Sequence, residues 1–218
     1  MNGNNQQVMK NNGVGNHVLQ HLEYEKQFGS FQQGSPRLLM PRLDIRLDYE
    51  NLHITLKKEL DWKPNAQALI RAISEGVKHL GAVVRIVDYA DWDRLSQADS
   101  RIFPKWRERS WQRDLAAMGV ETRYLVNEDN RNAVDIQMTN DLRDLLERPA
   151  DAYDTADLII LGTNDSDFRA VLEAARRRRR RFVLLAVKGQ LSHRLVDVID
   201  LNDIYYIDGG LHLHNYQK

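Results

Sequence analysis

From residue 38 onward, short apolar runs alternate with segments in which apolar residues recur every three or four positions. Residues 43–47 read as a first strand ending at Asp48, and 65–80 as an amphipathic helix stopped by Gly81. The next strand, 82–87 (AVVRIV), runs into an acidic loop, DYADWD. Residues 100–118 read as helical after Pro104 and are closed by Gly119, ahead of a third strand at 120–126. The same beat gives a helix over 133–147 ended by Pro149, a strand over 158–161, a helix over 168–178, a strand over 182–187, a last helix over 191–198 and an edge strand over 204–207. Strands separated by helices imply right-handed crossovers and a parallel sheet covered on both faces. The expected fold is α/β, a three-layer α/β/α sandwich with a mostly parallel central sheet. One strand breaks the pattern. A central parallel strand should be almost wholly apolar, yet Asp44 and Arg46 stand between Leu43, Ile45 and Leu47, and the sequence offers no reason for it.

Residues 1–36 are rich in Asn, Gln and Gly, with apolar residues too sparse to offset the entropy of ordering, and read as a disordered polar tail. That leaves one globular domain over 37–210 and a short C-terminal tail over 211–218. The 42% apolar content of 218 residues suffices for a core of that size. With 31 basic and 31 acidic residues the global field vanishes, so attraction to a polyanion must come from local patches. The lack of cysteine excludes disulfides, thiolate catalysis and Cys-built zinc sites and fits a reducing compartment. No secretory leader and no apolar run of about 20 residues is visible, so the expectation is a soluble, cytoplasmic protein with no membrane partner.

Candidate chemistry lies where strands end. Asp48 in LDYENL, Asp135 in RNAVDIQM, and Asp165 and Asp167 in LGTNDSDF each follow an expected strand. In an open parallel sheet, ligands bind beyond the carboxyl ends of the strands, so acids converging on that rim point to a hard-cation site. Asn51, three residues after Asp48, can present an amide oxygen towards the same point across a tight turn. Asp48 and one of the Asp165/Asp167 pair would also serve as helix caps. Asp141 lies six residues beyond Asp135, about a turn and two-thirds on, and need not point the same way. Oxygen-only ligands suit Mg²⁺ or Mn²⁺, and the seven histidines show no zinc spacing.

The segments Asp48-Tyr49-Glu50-Asn51, Ala90-Asp91-Trp92, Arg131-Asn132-Ala133-Val134-Asp135-Ile136 and Asn164-Asp165-Ser166-Asp167-Phe168, with Leu191-Ser192 before the last helix, together resemble the NYN domains of the PIN-like nuclease superfamily. The likeness runs along most of residues 43–207. It implies a PIN-like strand order with strands one and four adjacent. It also implies a Mg²⁺- or Mn²⁺-dependent ribonuclease whose metal-binding acids are Asp48, Asp135, Asp165 and Asp167, with Asn51 assisting. Arg131 replaces a common Lys and keeps its charge, while Thr163-Asn164 replaces a common Ser-Gly, Asn being the non-glycine residue most tolerant of unusual backbone angles.

RNA, single-stranded or structured, is then the expected partner, with a homodimer left open. The segment 101–113 sets five basic residues and one acid among Phe103, Trp106 and Trp111, whose spacing also suits a helix face packed on the sheet. Arg107, Arg109 and Arg113 are accordingly preferred as RNA contacts, together with Arg131 and with Lys188 on the catalytic rim. Six consecutive arginines, 176–181, fall at the opposite rim, where they suit distant phosphates or a partner, or simply the end of a helix dipole. A dehalogenase-type phosphatase would need a second Asp where Glu50 stands, and dinucleotide binding lacks its glycine fingerprint. The serious alternative is a non-cleaving NYN-type RNA-binding or protein-interaction module that keeps the acidic turns as caps.

Overall fold

A computed structural model of the chain describes residues 40–61, 65–98, 110–125, 132–149, 155–207 and 213–215. The expected N-terminal tail, 1–36, lies outside them.

β1 (Arg42–Asp48), β2 (Ala82–Ala90), β3 (Val120–Tyr124), β4 (Leu158–Gly162), β5 (Phe182–Val187), β6 (Ile204–Ile207) and β7 (Leu213–Asn215) form one sheet in the order β3-β2-β1-β4-β5-β6-β7. Every pairing is parallel except β6 with β7. β1 and β4 are neighbours, and the fold is the expected three-layer α/β/α sandwich with PIN-like topology. The helices are α1 (Tyr49–Leu60), α2 (Ala66–Val77), α3 (Trp92–Ala98), α4 (Ser110–Ala117), α5 (Ala133–Glu147), α6 (Arg169–Arg177) and α7 (His193–Val196). Among the described residues no helix is long and apolar enough to cross a membrane.

Side chains that alternate across each strand feed two cores. Leu43, Ile45 and Leu47 meet Leu52 and Leu56 of α1 and Leu69, Ile70 and Ile73 of α2 on one face. On the other face, Ile159 and Leu161 of β4 and Phe182 and Leu184 of β5 meet Met138 and Leu142 of α5 and Val171 and Leu172 of α6. β4 and β5 are buried along their whole length, as their unbroken apolar sequences require.

Arg46 and Asp44 find their reason on that second face. Arg46 Nε and Nη2 donate to the two oxygens of Asp44 at 2.5 and 2.9 Å, and Nη1 donates to the Tyr89 hydroxyl at 2.8 Å. Tyr89 in turn donates to Asp141 at 2.7 Å. Burial alone would lower the Arg46 pKa, but Asp44 and Tyr89 outweigh it and hold the guanidinium charged. Two charges that look misplaced in β1 are therefore one another's partners, and through Tyr89 and Asp141 they tie α5 to the sheet.

Three local expectations need correction, and a fourth is described only in part. The segment after Asp48 is not a tight turn: α1 starts at once, with Asp48 as its N-cap. The acidic loop DYADWD is the end of β2 followed by α3, whose first turn is held by Arg94 N–H donating to Asp91 at 3.0 Å. The helix expected over 100–118 is described only from Ser110, residues 99–109 lying outside the described set. The strand 204–207 is not an edge strand, because β7, drawn from the segment expected to be a tail, pairs beyond it.

Candidate active site

Parallel register brings the ends of β1 and β4 together, with Leu47 opposite Gly162. Gly162 leaves room for the leucines packed on it, since a Cβ there would lie 2.6 Å from Leu47 Cδ2 and 3.1 Å from Leu52 Cδ1. The residues that follow, Asp48 and Thr163, then meet: the Thr163 hydroxyl donates to Asp48 Oδ2 at 3.2 Å, and Asn51 N–H donates to Oδ1 at 3.1 Å. Asp48 is 3% exposed. Burial is the main force pushing its carboxyl up to about 7; Asn51 and Thr163 oppose the rise, while the neighbouring charges of Asp135 and Glu50 add to it.

Asn51 does not aim its amide oxygen at the carboxylates. Its Oδ1 accepts from both the backbone N–H and the Nδ2 of Asn164, each at 3.1 Å. The Asn164 Oδ1 accepts from Val187 N–H at 2.8 Å, so one carboxamide ties the ends of β1, β4 and β5. Asn164 serves through these bonds and not through an unusual backbone, since the positive-φ non-glycine residues among those described are Asp61 and Arg179. Asn51 is a positioning residue in this arrangement.

The tied turn carries the other acids. Asp165 N–H donates to Thr163 Oγ1 at 3.1 Å, and Asp167 N–H donates to Asp165 Oδ1 at 2.9 Å, so Asp165 caps the short 3-10 turn that precedes α6. Asp135 arrives from the first turn of α5, where a carboxylate is favoured by the helix dipole. One carboxylate oxygen from each of Asp135, Asp165 and Asp167 lies within 4.8 Å of the others. None of the three is in an ion pair among the described residues. Partial burial pushes the Asp135 carboxyl up to about 6, with the charges of Asp165, Asp167 and Glu50 adding to the rise.

Expectation and structure meet as follows. Asp135, Asp165 and Asp167 form one group, with Asp48 beneath it, outside that 4.8 Å set but near enough for Asp135 to act on its charge. Asp141 points elsewhere, bonded to Tyr89 and Gln137. Lys188 is exposed in the turn after β5 on the same rim, and Arg113 is exposed on α4. Arg107, Arg109 and Arg131 lie outside the described residues.

Two features went unread in the sequence. Thr163 is the hydroxyl shared between Asp48 and the Asp165 turn, and its place in the departure from Ser-Gly was the available signal. Glu50 is 6% exposed and ion-paired to the half-exposed Arg94 of α3. Burial raises the Glu50 carboxyl above its ordinary value despite Arg94. No signal in the sequence linked the two, because they belong to separate elements.

Three like charges this close repel unless a cation is shared among them, and an all-carboxylate set with one deeper carboxylate matches a hard divalent ion such as Mg²⁺ or Mn²⁺. The residues present thus fit such an ion. The family model of the NYN domain matches residues 42–208, a span that includes every acid of the group. Among solved structures, a protein of unknown function from Vibrio parahaemolyticus is similar in fold, with a TM-score of 0.59 and 19% identity over 84% of this chain and 100% of that one. No curated protein matches the sequence.

Proposed function

We propose, from the premise that this chain belongs to the NYN domain family, that it is a metal-dependent ribonuclease, acting as an endoribonuclease on RNA phosphodiester bonds. The observation that carries this reading is the set of three carboxylates, Asp135, Asp165 and Asp167, within 4.8 Å of one another and without a basic partner among the described residues. These three, with Asp48 behind them, would hold Mg²⁺ or Mn²⁺. When bound, such an ion supplies a Lewis acid for a phosphoryl oxygen and makes water a stronger nucleophile.

The chain's own residues set the stage for in-line attack. Thr163 and the α1 N-terminus fix both oxygens of Asp48, and Asn51 and Asn164 fix the turn that presents Asp165 and Asp167. We assign Arg94, ion-paired to Glu50, and the exposed Lys188 to meet RNA phosphates that bare carboxylates would repel. We assign Arg113 to the same task, and Arg107, Arg109 and Arg131 with it. With water as nucleophile and not the ribose 2′-hydroxyl, the products carry 5′-phosphate and 3′-hydroxyl ends.

Incubating the purified protein with single-stranded and structured RNA and Mn²⁺ tests the reading. Wild type should cut, and Asp165→Asn should slow cleavage by about 100-fold, roughly 2.7 kcal/mol of lost transition-state stabilisation. No cleavage by wild type, or equal cleavage by both, would assign the chain to the non-cleaving RNA-binding or protein-interaction modules instead.

A further inference from the structure

Residues 176–181 are all arginine, and they close α6 and enter β5. Val187, at the other end of β5, bonds to the Asn164 of the carboxylate turn, so the run lies on the opposite rim, one strand length or roughly 20 Å away. We propose that this run is a second binding site for single-stranded RNA, gripping phosphates of the strand whose scissile bond lies at the carboxylates. The proposal rests on RNA being the substrate.

The bland explanation is the helix dipole, which amounts to about half a negative charge at the C-terminus and is answered by one or two cations. Arg176 and Arg177 in the last turn already meet that need. Arg176, Arg177, Arg178 and Arg179 are exposed, and none makes an ion pair among the described residues. Arg180 and Arg181 are differently employed: Arg180 donates to the Ala156 carbonyl at 3.1 Å, and Arg181 pairs with Asp203 at 2.9 Å. Four positive charges thus stand together without internal counter-charge, on a chain whose total charge is zero.

Arg179 adds a second observation. Its φ is 54°, the left-handed position just past a helix where glycine is the least costly residue. An arginine there accepts a backbone penalty that glycine would avoid. Four exposed, consecutive cations at a helix end suit a flexible polyanion more than a folded partner. Arg176 also lines a cavity of about 320 Å³, together with Arg180, Arg181, Leu172, Phe182 and Ile199. Its acids are committed, Asp203 to Arg181 and Asp200 to capping the turn at Asn202 N–H. A lining that sets Phe182 and Ile199 among arginines suits an unstacked base whose phosphates are held outside.

The test separates this site from the nuclease reading by measuring binding without metal. Asp165→Asn protein in chelator is titrated with unstructured oligouridine of about 30 nucleotides and of about three, because at ~3.4 Å per nucleotide the shorter strand reaches only about half the distance between the rims. Replacing Arg176, Arg177, Arg178 and Arg179 by Gln should weaken binding of the long RNA at least ten-fold in about 50 mM salt and lower the slope of log affinity against log salt by about two to three. Cleavage of the short RNA by the otherwise wild-type quadruple variant, with metal present, should be unchanged. Lys at the same four positions should restore the slope, and Arg179→Gly should raise the melting temperature while weakening long-RNA binding. Unchanged affinity and slope in the Gln variant, or displacement of RNA from the run by poly-glutamate at equal charge concentration, would overturn the proposal. Absence of cleavage would leave these binding measurements intact and sink only the nuclease reading.

Discussion

Asp44 and Asp48 lie four residues apart on the same strand, and each is 3% exposed. At Asp44 the chain supplies an internal cation, Arg46, in a fork of two hydrogen bonds, and relays it to Tyr89 and Asp141. At Asp48 it supplies a hydroxyl and an amide N–H, and burial, with the charges of Asp135 and Glu50 added, pushes the carboxyl up to about 7. Burial costs are comparable at the two ends. One end meets the demand for positive charge from within, and the other has no basic partner among the described residues. A single strand can thus be a rigid strut in its first half and carry an acid of the proposed ion site at its last residue.

Removing the internal cation should produce the largest effect. Arg46→Ala strands Asp44 in the core and should cost about 3–5 kcal/mol by denaturant unfolding, whereas Asp44→Leu with Arg46→Met, which removes both charges, should cost far less. If the single and double variants were equally stable, the fork would not be what makes that end self-sufficient.

At the open end the same logic reverses. Mn²⁺ at about a hundred times its dissociation constant should stabilise the wild type by roughly 2.7 kcal/mol. Asp135→Asn removes a charge repelled by Asp165 and Asp167, so it should raise the metal-free melting temperature while erasing the Mn²⁺ response. A metal-free protein made less stable by that change would mean that the acids are structural caps and not a receptor.

Asp88 gives the smallest and sharpest contrast: a buried acid on β2 with neither an arginine nor a place in the acid group. Burial pushes its carboxyl up to about 7, and Thr122 and its own backbone N–H offset little of that. The folded state then holds a proton that the unfolded state has released, so stability should fall as pH rises from about 4 to 7 and level off above. Asp88→Asn should flatten that slope and gain on the order of 2 kcal/mol at pH 8, read from urea unfolding at pH 5 and pH 8. A parallel pH dependence in wild type and variant would place the titration elsewhere.

The sequence was most legible where burial imposes a period. β4 and β5, apolar throughout, were found within one residue, and α5 was found to its ends because its apolar stripe is bounded by Asn132 and by Arg148 before Pro149. α1 was missed because Ile54 and Thr55 weaken its helical pattern, and packing of Leu52 and Leu56 decides the matter instead. β7 is three residues long, too short for any period to show. The acids were legible because strand ends locate them in one rim. The roles of Asn51, Thr163 and Arg94 were not, since each depends on which side chain from another element arrives beside it. The charges of β1 were visible as an anomaly, but their explanation needed Tyr89 and Asp141, brought in by other elements.

Asn164 acts as a keystone among three strand ends, and this fixes where the chain can change length. Adding or deleting one residue between Gly162 and Asp165 would unseat three strands together. A designer wishing to retune what this scaffold accepts should therefore leave the arch stone where it is.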